Sequence, residues 1–317
     1  HAGRERVPRI RDPIGELQAT ALPGGDLWLR PPHGHAHQTT RHGVTQGIRI
    51  TADGQAHVGG LCHILHRDGL RFAGMKILAV GDAEFERGER PTLCGYSPHV
   101  IPVPADWGRS IHVTGYWFLD DNSTLPADVQ QFLADGPAPV FAGFGSMTGL
   151  DPVQTATAVV EAAAFAETRL ILGTGWGGLD TEAAKAAAGR TGVDLCVVDY
   201  VDFRGLFPRV STVVHHGGAG TTGTAFAAGR PQVVCPFVAD QPFWARIAQE
   251  HGVAPDPLPQ RSLTSGALAE RLVVAQGAEA RAAATGLGDR IAAEDGLAVA
   301  VAAIEQATTL TGSAGST

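Results

Sequence analysis

Apolar and polar residues follow different patterns in the two parts of the chain. From residue 126 onward, short apolar runs typical of buried strands alternate with longer, Ala-rich segments of helical spacing. The predicted strands lie at 139–145, 169–175, 194–201, 212–216 and 232–237. The predicted helices lie at 151–166, 181–190, 203–210, 221–229, 241–252, 264–276, 278–292 and 295–308. This alternation predicts an α/β fold, in which a parallel sheet is covered by helices on both faces.

Residues typical of helix ends support these boundaries. Asp151 is a suitable N-cap, and Pro152 occupies the first helical position, where its missing N–H removes no hydrogen bond. Gly252 closes the predicted helix that starts at Gln241. In an open parallel sheet, ligands bind beyond the carboxyl ends of the strands. Candidate functional residues are therefore sought just after each predicted strand.

The residues before 126 show no such regular alternation. We expect residues 1–74, which are rich in His, Gly, Pro and Arg, to form an atypical and mostly irregular region. The apolar run at 75–80 predicts an opening parallel strand, and a further short strand is predicted within 111–117. The predicted organisation is an atypical region at 1–74, a connecting region at 75–125, a ligand-binding domain at 126–308 and a flexible tail at 309–317.

The closely spaced His33, His35 and His37 raise the question of a metal site. Imidazole is a good ligand for zinc, copper or nickel. No Cys or carboxylate stands at a ligand spacing from these histidines, however, and a polar tail is the favoured interpretation. The sequence therefore predicts no metal site and no cofactor.

Charge and composition exclude several function classes. The chain has 24 Lys and Arg against 32 Asp and Glu, a net charge of −8, and so lacks the basic surface that nucleic-acid binding requires. No apolar run approaches the roughly 18 residues of a membrane span. The four cysteines are widely separated, which argues against a disulfide scaffold. With no signal segment at its start, the chain is expected to be cytoplasmic, without nucleic-acid partner or transmembrane segment, and its oligomeric state is left open.

The most informative motif is the segment VVHHGGAGTTGTAFAAG at 213–229. An apolar strand runs into two histidines, a Gly-rich loop follows, and two threonines open a helix. Glycines let the backbone approach a ligand closely, and the free N–H groups of a first helical turn favour a phosphate. Tight packing is the alternative reason for such a loop, but the flanking polar residues favour phosphate binding. The candidate phosphate-binding residues are His216, Gly218, Gly220, Thr221 and Thr222.

Three further strand ends carry candidate ligand-binding residues. Asp240 beside Gln241 can bind neighbouring sugar hydroxyls, or Asp240 can simply cap the following helix. Ser146 lies in a Gly-hydroxyl turn that either binds a ligand or caps a helix. At Tyr200 and Val201 a flat nucleobase can stack or bond to the backbone, or the chain merely leaves the strand. The pattern alone leaves these alternatives open.

Several of these motifs together resemble the UDP-glycosyltransferase superfamily, whose two-domain fold is called GT-B. The resemblance is carried by HHGGAGTT at 215–222 and CPFVADQPFW at 235–244. It is strengthened by GYWFLDD at 115–121, FGSM at 144–147 and DYVDFRGLFPRV at 199–210. The motifs are similar to those of the sterol 3-β-glucosyltransferase-like branch, which includes enzymes that glycosylate macrolides and other natural products. The resemblance covers roughly 91–308.

The resemblance implies a role for each matching position. His216 and Ser146 would contact the donor diphosphate, and the backbone and hydroxyl cradle would comprise Gly218, Gly220, Thr221 and Thr222. Asp240 and Gln241 would form hydrogen bonds with the hydroxyls of the donor sugar. Tyr200 and Val201 stand where the family holds the nucleobase, often with a Trp in place of the Tyr. The family inverts the anomeric centre by direct displacement and needs no metal, since the helix dipole stabilises the departing diphosphate.

The sequence departs from the family in its first part. Members carry an N-terminal Rossmann-like domain of about two hundred residues, which binds the acceptor and supplies the catalytic base. Here only 75–80 resembles the start of that domain, so 75–125 is interpreted as a remnant of it with the interdomain linker. The general base is therefore unknown, and we expect a truncated, internally deleted or misread gene product.

The resemblance implies a glycosyltransferase whose donor is a UDP- or dTDP-hexose. Its acceptor would be a hydroxyl of a lipophilic small molecule, such as a sterol or a macrolide. The alternative is a nucleotide-sugar-binding remnant without an acceptor domain and with impaired catalysis. General-base catalysis typically contributes about 10²- to 10⁴-fold in rate, so loss of the base would leave little activity.

Overall fold

The chain divides into two compact units, residues 1–90 and 91–317. In this computed structural model the second unit is described at residues 92–105, 107, 109, 111–118, 124–145, 151–175 and 178–313. Its side chains are described from Leu93 to Gln306, with the same gaps. In the first unit only the backbone of eight short strands is described.

The described parts of the first unit are antiparallel strands of two to four residues. β1 and β2 form one pair, β3 to β6 a four-stranded sheet, and β7 and β8 a second pair. The bounds are β1 Arg11–Asp12, β2 Gly15–Glu16, β3 Gln18–Ala21, β4 Leu27–Arg30, β5 Ile48–Ile50, β6 Ala56–Val58, β7 Arg71–Phe72 and β8 Met75–Lys76.

The predicted parallel strand at 75–80 is wrong for its first two residues. Met75–Lys76 pairs antiparallel with Arg71–Phe72. Only two residues separate these strands, a connection that can join antiparallel neighbours but is too short for a parallel crossover. Residues 77–80 lie outside the described part of the chain.

The second unit is built on a five-stranded sheet in which every neighbouring pair is parallel. Its strand order is β13-β12-β11-β14-β15. The strands are β11 Val140–Gly143, β12 Leu170–Gly173, β13 Leu195–Val198, β14 Thr212–His215 and β15 Gln232–Val234. A separate parallel pair, β9 Thr92–Cys94 and β10 Ile111–Val113, precedes it, and β10 lies within the strand predicted at 111–117.

Helices connect the strands and follow the last of them. Asp151 accepts hydrogen bonds from the N–H groups of Val153 and Gln154, which confirms the predicted N-cap. The helices are α1 Ala127–Ala134, α2 Pro152–Phe165, α3 Thr181–Thr191, α4 Phe203–Leu206, α5 Ala219–Ala227, α6 Gln241–Glu250, α7 Ser265–Ala275, α8 Ala278–Ala292 and α9 Gly296–Ser313, with single 3₁₀ turns at Phe207–Arg209 and Gln260–Ser262.

Alternate residues of each strand enter two different cores, as the pleat of a sheet requires. On one face, side chains such as Val140, Leu170 and Val214 pack against α2, α3 and α7. On the other face, Phe141, Ile171 and Val213 pack with α1, α4 and α5 residues. Helices thus cover both faces of the parallel sheet, and the predicted fold class is confirmed.

The final helix is longer than predicted. α9 extends through Ser313, so the first five residues of the predicted flexible tail at 309–317 are helical. No Gly or Pro interrupts the sequence between 297 and 311, which explains why the helix continues. Of the helices that the structure describes, none has both the length and the apolar character needed to cross a bilayer.

Candidate active site at the carboxyl edge of the sheet

The strand order reverses between β11 and β14. From β11 the chain moves outward to β12 and β13, and it then returns to the other side of β11 to form β14 and β15. Such a switch point opens a crevice beyond the carboxyl ends of the two central strands, where ligands bind in open α/β sheets. The Gly-rich loop after β14 and the turn at Gly145 after β11 both lie at this edge.

The loop after β14 is closed by two glycines. Gly217 has φ of +89°, and a Cβ atom there would approach Val234 Cγ1 to 2.8 Å. A Cβ atom on Gly218 would lie 2.6 Å from His216 Nε2. A side chain at either position would therefore clash in this loop conformation, so both positions require glycine. The tight-packing interpretation of the motif therefore applies at these two positions, and phosphate binding stays a prediction.

The loop delivers the N-terminus of α5, which has no side-chain cap. Gly218 is the N-cap residue, and the first helical hydrogen bond runs from the Thr222 N–H to the Gly218 carbonyl. The N–H groups of the first turn consequently have no carbonyl acceptor within the helix. Gly220 in this turn is exposed, and a Cβ atom there would meet nothing within 4 Å. An open, uncapped helix N-terminus attracts anions through its N–H groups and its dipole.

The two threonines of the motif differ in their surroundings. Thr222 is fully buried, and its hydroxyl donates to the Gly218 carbonyl over 2.9 Å. Thr221 is half-buried in the first turn of α5. The hydroxyl of Thr222 therefore fastens the loop to the helix, which leaves Thr221 as the hydroxyl nearer to solvent.

His216 lies between the two loops of the switch point. A Cβ atom on Gly145 would come within 3.1 Å of its Cε1 atom, so the turn after β11 packs on the imidazole ring. Burial lowers the pKa of His216, while the negative charge of Asp240 raises it. Its Nδ1 atom is buried and makes no hydrogen bond with any described residue. Ser146, which follows Gly145, lies outside the described residues.

His215 supports the loop through hydrogen bonds of its buried imidazole, a role that the sequence pattern did not indicate. Its Nδ1 atom accepts from the Gly217 N–H over 3.0 Å, so Nε2 carries the proton and donates to Gln232 Oε1 over 2.8 Å. Complete burial lowers the pKa of His215 to about 3. This histidine is therefore neutral at physiological pH and acts as a structural bridge between β14, β15 and the loop.

The buried imidazole of His215 makes stability depend on pH. Its pKa in the fold, about 3, lies below the 6.5 of the unfolded chain. The stabilisation is therefore present above pH 6.5 and is lost as the pH falls toward 3. We expect this group to account for about 2 kcal/mol of lost unfolding free energy between pH 7.5 and pH 5. Denaturant unfolding of the wild type and of His215→Gln at both pH values measures it, and equal pH dependence in both proteins would contradict the assignment.

Asp240 and Gln241 stand together at the start of α6, as predicted. The Asp240 side chain makes no capping hydrogen bond, so the helix-cap alternative is wrong. Its Oδ2 atom accepts instead from the indole Nε1–H of Trp244 over 2.8 Å. Gln241 Oε1 accepts from the N–H groups of Phe237 and Val238, over 2.7 and 3.0 Å.

The structure brings the predicted phosphate and sugar residues into one region. Asp240 is close enough to His216 to raise its pKa. A Cβ atom on Gly217 would lie 3.0 Å from the Gln241 carbonyl oxygen, so the loops after β14 and β15 touch. The edge of the sheet therefore presents an imidazole, a carboxylate and an open helix N-terminus side by side.

The predicted nucleobase residues lie farther along the same edge. The Tyr200 side chain is 84% exposed, whereas Val201 is buried in the core beside α4. Tyr200 can stack on a ligand, but Val201 can offer only its backbone. They follow β13, three strand spacings from β14, or about 14 Å. Only an extended ligand could reach both positions.

A cavity of about 500 Å³ lies elsewhere in this unit. Its lining includes Tyr116 and Phe118 from the segment after β10, Arg204 from α4 and Glu294 between α8 and α9. None of the residues predicted for the site lines it. We therefore place the candidate site at the edge of the sheet.

No group of three His, Cys, Asp or Glu residues within the described ranges could hold a metal ion. The cluster of His33, His35 and His37 lies outside those ranges.

Several known proteins are similar to this chain. Residues 181–305 match the family model described as "Erythromycin biosynthesis protein CIII-like, C-terminal domain". The chain is 38% identical over 218 residues to a sterol 3-beta-glucosyltransferase of Arabidopsis thaliana, covering 68% of this chain and 35% of that protein. It is 40% identical over 224 residues to the O-mycaminosyltylonolide 6-deoxyallosyltransferase of Streptomyces fradiae, covering 68% of this chain and 50% of that protein.

A solved structure shows the same fold. The "glycotransferase of kitacinnamycin" superposes with a TM-score of 0.54 at 20% identity, covering 69% of this chain and 55% of the other. The chain spans half or less of the length of the two curated relatives named above. The sequence motifs, the parallel sheet and these relatives agree, and this chain contains a C-terminal domain of the UDP-glycosyltransferase superfamily, with the fold called GT-B.

Proposed function

We propose that this chain binds a nucleotide sugar at the carboxyl edge of its sheet and serves in the transfer of a hexose to a hydroxyl of a lipophilic acceptor. The observation that carries the proposal is the uncapped N-terminus of α5 beside the imidazole of His216. The names of the relatives, a sterol glucosyltransferase and a macrolide deoxyallosyltransferase, support the acceptor class. Sterols and macrolides are both large, mostly apolar molecules that carry free hydroxyls.

Each part of a UDP- or dTDP-hexose has a candidate partner. The diphosphate would lie against the N–H groups at the start of α5, with His216 donating to it, and with Ser146 as a further contact. The hexose would lie against Asp240 and Gln241. The base would stack on the exposed Tyr200, about 14 Å along the edge, which fits an extended molecule.

The chemistry that this arrangement supports is displacement at the anomeric carbon. The acceptor oxygen would form the new bond to that carbon from the face opposite the diphosphate, so the configuration inverts. The bond to the diphosphate oxygen breaks, and both its electrons leave with the diphosphate. The proton of the acceptor hydroxyl passes to a base, for which we assign no residue.

The leaving group is the part of the reaction that the described residues can assist. Negative charge grows on the diphosphate as the bond breaks, and preorganised N–H donors stabilise such charge without reorganisation. The positive end of the α5 dipole acts in the same direction. This supports a reaction that does not require a metal ion.

Donor binding is expected to be independent of divalent metal. We expect the dissociation constant for UDP to agree within about twofold in excess EDTA and in excess Mg²⁺, because N–H groups and imidazole replace the cation. Isothermal titration calorimetry under both conditions measures it. A requirement for Mg²⁺ would contradict the proposed mode of diphosphate binding.

Turnover separates the proposed transferase from donor binding without catalysis. The test is release of UDP from UDP-glucose in the presence of a panel of sterols and macrolides, with the acceptor omitted as control. Acceptor-dependent release at a rate comparable to that of a two-domain relative would support transfer. Binding of UDP without any acceptor-dependent release would support the alternative, a nucleotide-sugar-binding protein with impaired catalysis.

A further inference from the structure

The loop between β15 and α6, residues 235–240, adopts a conformation that needs support. Ala239 has φ of +62°, although it is not glycine, and Glu167 is the other non-glycine residue with positive φ in the described ranges. Such a conformation costs an L-residue on the order of 1–3 kcal/mol and persists only where its surroundings hold it. The strain is located directly beside Asp240, the proposed sugar contact.

Two side chains of α6 supply that support. Gln241 uses its carbonyl oxygen to bind the N–H groups of Phe237 and Val238. Trp244, one turn later, donates its indole N–H to the Asp240 carboxylate over 2.8 Å. Both side chains are buried, with exposures of 5% and 2%, so water competes little for these bonds. Gln241 therefore holds the backbone of the loop at residues 237–238, and Trp244 holds the Asp240 carboxylate at its end.

These contacts fix which hydrogen-bonding groups remain for a ligand. Because Trp244 engages Oδ2 of Asp240, Oδ1 is left to accept. Because the Gln241 oxygen is engaged twice, its NH₂ group is left to donate. A partly buried carboxylate without the indole bond could turn about its side-chain torsions and lose this direction.

We propose that Trp244 is the positioning residue for donor-sugar recognition, holding the Asp240 carboxylate so that it accepts a hydrogen bond from a sugar hydroxyl. This inference rests on the proposed function, in which Asp240 and Gln241 meet the hexose. It assigns Trp244 no contact with the sugar. It also defines the sugar as one that offers a hydroxyl hydrogen to Asp240 and a hydroxyl oxygen to the neighbouring Gln241.

The test compares UDP-glucose with UDP, which lacks the sugar. In Trp244→Phe an aromatic ring is kept, although a smaller one, and the N–H is lost. We expect the affinity for UDP-glucose to fall about tenfold, because the Asp240 carboxylate is no longer held in place and its hydrogen bond to the sugar hydroxyl is weakened, and the affinity for UDP to stay within about twofold. Calorimetry with both ligands on wild type and variant gives the ratio of affinities. If the substitution instead loosened α6 as a whole, the affinities for UDP and UDP-glucose would fall by a similar factor.

Three further tests separate the role of the indole N–H from other effects of the substitution. Ile247→Val removes a methylene from a buried residue of the same helix and leaves the indole N–H in place, so it should leave the ratio of affinities unchanged. Replacement of Trp244 by 3-benzothienylalanine keeps the volume and substitutes sulfur for N–H, so it should reproduce Trp244→Phe even if that variant folds poorly. In an Asp240→Ala background, Trp244→Phe should change the ratio by less than about twofold, because no side-chain oxygen is left for the indole to position.

The outcomes are distinct. If wild type binds UDP and UDP-glucose but neither indole replacement changes their ratio, the role of Trp244 is wrong and the proposed function stands. The same holds if the effects of Trp244→Phe and Asp240→Ala on that ratio are independent. If wild type binds neither ligand, the proposed function fails, and the inference fails with it.

Discussion

Replacing Gly217 by alanine is expected to destabilise the fold by about 3 kcal/mol and to abolish UDP binding. Part of the cost is conformational, because φ at this residue is +89°. The rest is steric, because the new Cβ atom would lie 2.8 Å from Val234 Cγ1 and 3.0 Å from the Gln241 carbonyl oxygen. Both the loop after β14 and the start of α6 would have to move, and they carry the proposed phosphate and sugar contacts.

Gly192 provides a matched control. It has a φ of +77° at the end of α3, and a Cβ atom there would meet nothing within 4 Å. Gly192→Ala should therefore show the conformational cost alone, about 1 kcal/mol, with unchanged UDP affinity. Urea unfolding and calorimetry on both variants separate the two contributions. If Gly217→Ala costs no more than Gly192→Ala and still binds UDP, the loop is not packed as the structure describes.

Replacing His216 by alanine is expected to weaken UDP binding by about 10- to 100-fold. The imidazole lies between the turn at Gly145 and the first turn of α5, where it can donate to a diphosphate. The half-buried ring makes no hydrogen bond through Nδ1 to a described residue, so the fold should lose little stability with it. Calorimetry gives the affinity, and thermal unfolding checks that the variant is folded.

His112, a half-buried histidine in β10, provides the control for His216. It is not part of the proposed site, and His112→Ala should bind UDP as the wild type does. Equal affinity in all three proteins would exclude His216 from the diphosphate site. Loss of binding in both variants would instead indicate a general effect on the fold.

The fold of residues 126–308 could be predicted because its sequence signals are local and mutually consistent. Continuous apolar runs mark strands buried on both faces, and Asp151 or Gly252 mark helix ends. The strand order itself needs tertiary information, since no sequence pattern distinguishes an outer strand such as β13 from a central one such as β11. The pairing of β7 with β8 was missed because the apolar run at 75–80 resembles a parallel strand.

The positions of the site residues were predicted better than their contacts. The sequence places Asp240 at a helix start and leaves open whether it caps the helix or binds sugar hydroxyls. In the structure its carboxylate accepts from Trp244, four residues later on the same face of the helix. Thr222 was grouped with Thr221, although a threonine in the first turn often bonds back to the carbonyl four residues earlier. Spacing does not reveal which of these bonds forms.

The two adjacent histidines show the same limit. His215 continues the buried strand and His216 begins the loop, so one is a neutral internal bridge and the other faces the site. The signal available in the sequence was the strand periodicity, which sends neighbouring side chains to opposite sides. Gln232, the buried partner of His215, lies on another strand and could be identified only from the structure.

The central claim is that the N–H groups at the start of α5 bind a diphosphate, and amide NMR tests it most directly. Uniformly ¹⁵N-labelled protein would be titrated with UDP and, in parallel, with uridine, which has no phosphate. We expect UDP to shift the amide resonances of Ala219, Gly220 and Thr221 markedly downfield and uridine to leave them unchanged. UDP binding that leaves these three resonances unchanged would contradict it.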